Sequence, residues 1–388
     1  MLKIKTMNAI SDVIFESLPV ERYEVGNEVA APDAVLVRSA SMHETELPDS
    51  LYAIARAGAG YNNIPVERCT EAGIAVFNTP GANANAVKES VLTGLLLSTR
   101  DVVAGIEWAK SLEGKGDAIP ALVEKGKNQF VGPELKGKTL SVWGLGAVGG
   151  LVANMATHLG METIGYDPYI SIEAAWSLSR SVKKANSQEI LLENADYISL
   201  HIPLTSETQG MINFDVINKM KRGAVLLNFS RGEIVDDDAI KAALKSGQIR
   251  KYVTDFPNKD LLGIKNVLCI PHLGASTPES EENCAVMAAK QIDDFLSVGS
   301  VVNSVNLPRL VLDKPEKHRI SVLHRNIPNM ISQITSMVAK QGINIEHMMN
   351  KSRENIGYTV LDVMEEITPE VAAQIAAIEN VIRVRIIA

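Results

Sequence analysis

The chain has 388 residues, more than one hydrophobic core of ordinary size can serve, so two or three domains are expected. Its composition, 46% hydrophobic and 22% charged, is that of a globular protein, and a formal net charge of -8 argues against sequence-independent nucleic-acid binding, which needs a basic face. The three cysteines, Cys69, Cys269 and Cys284, are too far apart for a disulfide framework or a zinc site, no apolar run reaches membrane-span length, and the N-terminus lacks a signal-peptide core. A cytoplasmic protein without metal, membrane or nucleic-acid partner is the expectation.

In chain order, MLKIKTM, DAVLVRSA, LYAIARAG and IAVFNTP read as strands, each bounded by polar, Gly or Pro punctuation. From Asn83 the proline-free run NANAVKESVLTGLLLSTRDVVAGIEWAK reads as one long helix with an Asn cap. The strands TLSVW, METIGYDP, DYISLHIP, GAVLLNFSRG, RKYVTDFP and NVLCIPHLG follow, with helical segments between them. Such alternation specifies a parallel, doubly wound sheet of the Rossmann kind. After a further helix, PESEENCAVMAAKQIDDFLSVG, the segment NLPRLVLDKPEK reads as a linker. The last stretch then follows a βαββαβ order, which is ferredoxin-like.

The expected organisation is α/β. The family resemblance carried by the motifs that follow implies a flavodoxin-like substrate domain at 1–92 and 276–308, with a Rossmann domain inserted at 93–275. It likewise implies a linker at 309–317 and a regulatory domain at 318–388.

Gly144, Gly146 and Gly149 form G-x-G-x-x-G between the strand TLSVW and a helix that opens at Ala147 and Val148. Gly144 permits the tight turn, Gly146 lets the backbone approach a pyrophosphate, and Gly149 lets helix and strand close together. The anion then sits on the helix N-terminus. Asp167 ends the next strand, where a carboxylate accepts the ribose hydroxyls and repels a 2′-phosphate. NAD is therefore favoured over NADP as the expected cofactor.

Arg231, the acidic pair Asp255 and Asp260, and His272 fall at the C-terminal ends of later strands, where open α/β sheets place their chemistry. Hydride transfer from a 2-hydroxy acid needs a base for the hydroxyl proton, a cation for the carboxylate and an acid that orients the base. Arg, Asp and His supply those types, although spacing alone leaves a strand-end His and a surface Arg as ordinary structural residues.

The motifs RAGAGYNNI, FNTPGANANAVKES, GLGAVG, LHIPLTSET, NFSRGEIVDDDAI and PHLGAST, in this order, make the chain resemble the D-isomer-specific 2-hydroxyacid dehydrogenase family along nearly its whole length. The resemblance implies that Arg231 contacts the substrate carboxylate and carbonyl, that His272 is the general acid/base, and that Asp260, in place of the family's glutamate, orients it. It implies that Asp255 contacts the nicotinamide amide. Thr79, His201, Pro203, Thr208, Phe229, Ser230, Gly274 and Ala275 would lie against the cofactor.

On the substrate side it implies that Gly58, Ala59 and Gly60 present N–H groups to a carboxylate, with Asn83 beside them. Arg38 with Ser39, and Lys127 from a neighbouring subunit, would meet a phosphate. The C-terminal stretch resembles an ACT domain, in which His324, Asn326 and Asn344 fall on L-serine effector positions; Asn329 stands where glycine is usual and tolerates a positive φ. The implied activity is NAD-dependent oxidation of 3-phospho-D-glycerate by a homodimer or tetramer. Another D-2-hydroxyacid dehydrogenase and an NAD-sensing binding protein stay open as alternatives.

Overall fold

A computed structural model describes residues 1–8 and 10–387; Ala9 and Ala388, the last residue of the expected regulatory domain, lie outside them. The chain divides into two compact units. One is discontinuous, Met1–Asn83 with Pro278–Ala388, and the other, Ala84–Thr277, is inserted into it.

The discontinuous unit opens with β1 (Leu2–Met7), β2 (Tyr23–Gly26), β3 (Ala34–Val37), β4 (Ala53–Arg56), α1 (Val66–Glu71) and β5 (Ala75–Phe77). The five strands are parallel in the order β2-β1-β3-β4-β5, the flavodoxin-like winding. β3 is buried at every position, as a strand covered on both faces must be.

The inserted unit begins with α2 (Ala84–Thr99), α3 (Val102–Lys110) and α4 (Ile119–Gly126). It continues through β6 (Thr139–Trp143), α5 (Ala147–His158), β7 (Glu162–Tyr166), α6 (Ile172–Trp176), β8 (Val182–Lys184) and α7 (Gln188–Glu193). It closes with β9 (Tyr197–Leu200), α8 (Phe214–Asn218), β10 (Ala224–Asn228), α9 (Asp237–Ser246), β11 (Ile249–Thr254) and β12 (Val267–Cys269). The order β12-β11-β10-β9-β6-β7-β8, all parallel, is the Rossmann winding with its reversal between β6 and β9.

Back in the discontinuous unit, α10 (Pro278–Val298) precedes β13 (His318–Arg325), α11 (Met330–Lys340), β14 (Ile345–Arg353), β15 (Ile356–Val363), α12 (Pro369–Ala376) and β16 (Val381–Ile387). These last four strands form an antiparallel sheet in the order β14-β15-β13-β16, the ferredoxin-like arrangement. Ile320, Val322, Leu361 and Val363 pack one face with Ile334, Val338 and Ile375 from α11 and α12. Leu323, Ile356, Tyr358 and Val360 join Phe295 and Leu296 of α10 in a second core.

Arginines finish that seam: Arg385 donates to Phe295 O at 2.6 Å and Leu296 O at 3.3 Å, and Arg383 to Leu51 O at 2.6 Å. The Arg383 guanidinium also lies 4.3 Å from the Tyr52 ring centroid, a cation–π contact.

Several elements depart from expectation. The single helix expected from Asn83 is two, broken at Arg100–Asp101. The Ser98 and Thr99 hydroxyls donate back to the carbonyls of Leu95 and Leu96, a local bond that competes with helix continuation. β2 and β8 are too short and too polar to announce themselves. The break between units falls at Asn83/Ala84 rather than at 92/93, because α2 belongs as a whole to the inserted unit. The segment expected as a linker is pinned: Leu310 and Leu312 are buried, and Leu310 pairs with Val301 in a β-bridge. Among the described residues no helix is long and apolar enough to cross a membrane, and no His/Cys/Asp/Glu cluster could hold a metal ion.

Candidate active site

The glycine loop leaves β6 and enters α5 in the inserted unit. Gly144 has φ +91°, and a Cβ there would stand 2.3 Å from His201 O. At Gly149 a Cβ would stand 1.9 Å from Gly144 O, whereas at Gly146 nothing lies within 4 Å. Two glycines are therefore dictated by packing and the third by open space. No side chain caps the start of α5 at Gly146, so its first N–H groups face that space.

Asp167, one residue past β7, accepts from Leu145 N at 2.8 Å and Tyr169 N at 2.9 Å. Each bond uses one oxygen, which leaves lone pairs for a ribose diol while the carboxylate ties the loop in place. The uncapped helix, the cradle at Gly146 and this carboxylate fit a dinucleotide.

His201 directly follows β9, its carbonyl against Gly144 of the same loop. Its Nε2 meets the buried Ser199 hydroxyl at 2.8 Å, and burial pushes its imidazole down to about 3, so it is neutral at ordinary pH. Thr208 Oγ1 donates to Pro203 O at 2.6 Å and accepts from Thr205 N at 2.8 Å, which closes the loop after β9. Ser230 Oγ donates to Leu200 O at 2.7 Å, and the Phe229 ring is buried against Gly94 and Val253.

Arg231, Asp255 and His272 follow β10, β11 and β12. Asp255 is buried with Oδ1 unpartnered, and its other oxygen faces the bare Cα of Gly274. Burial raises the Asp255 carboxyl above its ordinary range; the charges of His272 and Arg231 pull it back, which places all three within electrostatic reach. His272 is exposed and packs edge-on against Phe256, ring centroids 4.8 Å apart. The Arg231 guanidinium is exposed, with Nη1 on Ser230 O at 2.7 Å, and Asn228 Nδ2 holds Arg231 O at 2.8 Å.

Asp260 does not meet His272. Asn258 Oδ1 accepts from Asp260 N at 2.9 Å and Leu261 N at 3.0 Å, while its amide donates to Asp237 at 2.8 Å. That turn sends the Asp260 carboxylate toward Lys241, whose ammonium is held above its ordinary value by Asp238 first, with Asp260 and Asp237 adding to it. A cavity of about 490 Å³ is lined by His272 together with Asp255, Glu233 and Asp237. The carboxylates sharing space with the histidine are these three.

In the discontinuous unit, Ser39 N and Ala40 N donate to Asn8 Oδ1 at 3.0 and 2.8 Å. Thr79 is fully buried, beside the Cys284 thiol. Asn83 is partly buried at the unit's edge. The Gly58–Ala59–Gly60 turn is wrapped around a residue not anticipated from sequence: Arg56 donates to Gly60 O at 2.5 Å and to Arg38 O at 3.0 Å. Its position directly before A-G-A-G was the available signal. Arg38 itself pairs with Glu281 through both terminal nitrogens, and no local pattern could have linked residues 243 positions apart. Lys127, in the inserted unit, is exposed and paired with Glu124.

At the expected effector positions, His324 is 3% exposed, with Nδ1 on Arg325 O at 2.8 Å and Nε2 on Thr359 Oγ1 at 2.9 Å. Asn326 Nδ2 donates to Glu354 O, and Asn344 N to Glu365; both asparagines are exposed. Asn329 takes φ +71° at the start of α11, as its side chain allows.

The family model described as D-isomer specific 2-hydroxyacid dehydrogenase, NAD binding domain, matches residues 94–274. The D-3-phosphoglycerate dehydrogenase of Methanocaldococcus jannaschii is 35% identical over 330 residues, 83% of this chain and 60% of that protein. The enzyme of the same name from Haemophilus influenzae is 30% identical over 360 residues, 88% of this chain and 82% of its own length. The chain spans only 60%, 52% and 54% of the first three curated relatives it matches. Among solved structures, NAD+-bound 3-phosphoglycerate dehydrogenase from Entamoeba histolytica aligns with TM-score 0.59 and 28% identity, over 80% of this chain and 99% of that one.

Proposed function

Because the chain belongs to the D-isomer specific 2-hydroxyacid dehydrogenase family, we propose that it interconverts 3-phospho-D-glycerate and 3-phosphohydroxypyruvate. The observation that carries this reading is the joint placement of Arg231, Asp255 and His272 after successive strands of the unit that holds the glycine loop and Asp167. NAD, when bound at the glycine loop, would supply the hydride acceptor. His272 takes the hydroxyl proton of the 2-hydroxy acid at its imidazole nitrogen, and returns it in the reverse direction. Charged Asp255 favours the imidazolium so formed, a role that proximity assigns to it in place of Asp260. Arg231 fixes the substrate carboxylate and polarises the carbonyl oxygen. The Gly58–Gly60 turn adds backbone donors for the carboxylate, and Arg38 meets the phosphate.

The C-terminal sheet domain acts in this reading as an ACT module that answers to L-serine within a homo-oligomer. The buried ring of His324 makes Asn326 and Asn344 its accessible effector contacts. The test is NADH oxidation with 3-phosphohydroxypyruvate, hydroxypyruvate and pyruvate, with and without L-serine. Strong preference for the phosphorylated acid, lost in Arg38→Ala, is the expected result; His272→Ala lowers kcat by about 10²–10⁴-fold while NADH still binds. Equal turnover of the unphosphorylated acids refutes the substrate assignment, and serine without effect refutes the regulatory one.

A further inference from the structure

The cation assigned above to the substrate phosphate already has an anion on it. Arg38 Nη1 donates to Glu281 Oε2 at 3.0 Å, and Nη2 to Oε1 of the same carboxylate. The fork-to-fork geometry uses the guanidinium edge that would otherwise receive a phosphate. Both partners are held from behind. Arg38 directly follows β3, and its carbonyl accepts from Arg56. Glu281 lies in the first turn of α10, whose neighbouring Ser280, Cys284 and Ala285 are buried.

The same corner gathers more charge. Arg56 sits inside the glycine turn, and the buried Cys284 thiol, raised mainly by its burial, feels Arg56, Arg38 and Glu281 together. Two guanidiniums and one carboxylate thus meet beside the turn expected to hold the substrate. The pair itself is 43% and 42% exposed at its two side chains, so packing does not lock it against exchange. An arriving phosphate dianion meets a carboxylate of like charge on the same arginine, and the two cannot share that edge without repulsion.

We propose that Glu281 is a specificity-determining residue: its carboxylate stands in for the substrate's distal anion on Arg38, and a phosphorylated 2-hydroxy acid binds by displacing it. An unphosphorylated 2-hydroxy acid leaves the pair intact. Affinity for the phosphate is thereby set by exchange of one charge-assisted pair for another rather than by capture at an open cation. The inference rests on the Arg38 assignment above and deepens it.

The test uses the full-length protein with Glu281→Gln, Glu281→Ala and, as control, Glu279→Gln, an exposed carboxylate in the same turn that does not pair with Arg38. NADH oxidation gives KM for 3-phosphohydroxypyruvate and for hydroxypyruvate, and the competitive Ki of inorganic phosphate against 3-phosphohydroxypyruvate. Both Glu281 variants are expected to lower the phosphate Ki and the ratio of phosphorylated to unphosphorylated KM by roughly tenfold, the scale of one charge-assisted pair released. The Glu279 variant leaves both where they were.

A Ki and a KM ratio that stay unchanged or rise in both Glu281 variants overturn the proposal. The two readings fail separately. Tighter phosphate binding in an enzyme that still prefers unphosphorylated acids keeps the role of Glu281 and removes the phosphoglycerate assignment. A wild-type preference for the phosphorylated acid that ignores Glu281 does the reverse.

Discussion

The glycine loop offers a substitution pair that separates packing from cofactor contact. In Gly149→Ala the new methyl would stand 1.9 Å from Gly144 O, where ordinary Cβ contacts begin at 3.4 Å, and the obstacle is backbone. Helix α5 and the loop must part by about 1.5 Å to admit it, in a close-packed layer that yields little. Overpacking of this kind costs about 1–3 kcal/mol, which for the inserted unit Ala84–Thr277 lowers Tm by about 2–7 °C. The same displacement moves the start of α5 away from its productive position and lowers NADH affinity. In Gly146→Ala the methyl meets nothing within 4 Å, and φ there is -68°, so the fold accepts it without strain. It fills the approach a pyrophosphate requires, so Tm holds within about 1 °C while NADH affinity drops at least about tenfold. Thermal melts and NADH fluorescence titration read both variants. A Gly149→Ala protein that binds NADH like the parent, or a Gly146→Ala protein that melts early yet binds normally, refutes the assignment of roles.

Two further outcomes rest on a buried charge and a desolvated histidine. Arg319 is 2% exposed, pairs with Asp362 at 2.5 and 2.8 Å, and donates to Val298 O and Asp313 O at 2.8 and 2.7 Å. Arg319→Met strands Asp362 and two carbonyls and is expected to lose about 3–5 kcal/mol in urea unfolding; a loss below about 1 kcal/mol would show the network to be decorative. His201 has a folded-state value of about 3 against an ordinary 6.5, so between those limits the unfolded chain binds the extra proton. Its contribution to stability is intact above pH 6.5 and is lost as pH falls toward 3, with a slope of up to about 1.4 kcal/mol per pH unit. Denaturation of His201→Gln between pH 7 and 4 should lack that slope, and an unchanged pH profile would contradict it.

What was legible in the sequence and what was not divides by range. Gly144, Gly146, Gly149 and Asp167 lie on one strand–helix–strand stretch, where steric demand and hydrogen bonding act between neighbours, and the structure gives each a local cause. The three sheets were readable for the same reason: strands such as β3 and β10, buried at every position, write their environment into consecutive residues. β2 and β8 were not, because YEVG and VKK carry too few apolar positions for a pattern. The long helix from Asn83 misled because absence of proline says nothing about hydroxyls that turn back on the preceding turn at Ser98 and Thr99.

Charge pairing was the least legible layer. Arg38 and Glu281, Arg56 and the Gly58–Gly60 turn, and Arg385 with the end of α10 are each ordinary residues in their own surroundings. Asp260 shows the converse case. It occupies the position that resemblance gives to an orienting acid, yet Asn258 folds the loop so that Asp260 faces Lys241, and Asp255 is the carboxylate whose charge reaches His272. A family's chemistry requires a carboxylate near the imidazole but does not require it to come from one position. Arg38 and Glu281 stand 243 positions apart, and a pair of that range leaves no mark on the residues around either partner, which is why a linear reading passes over it.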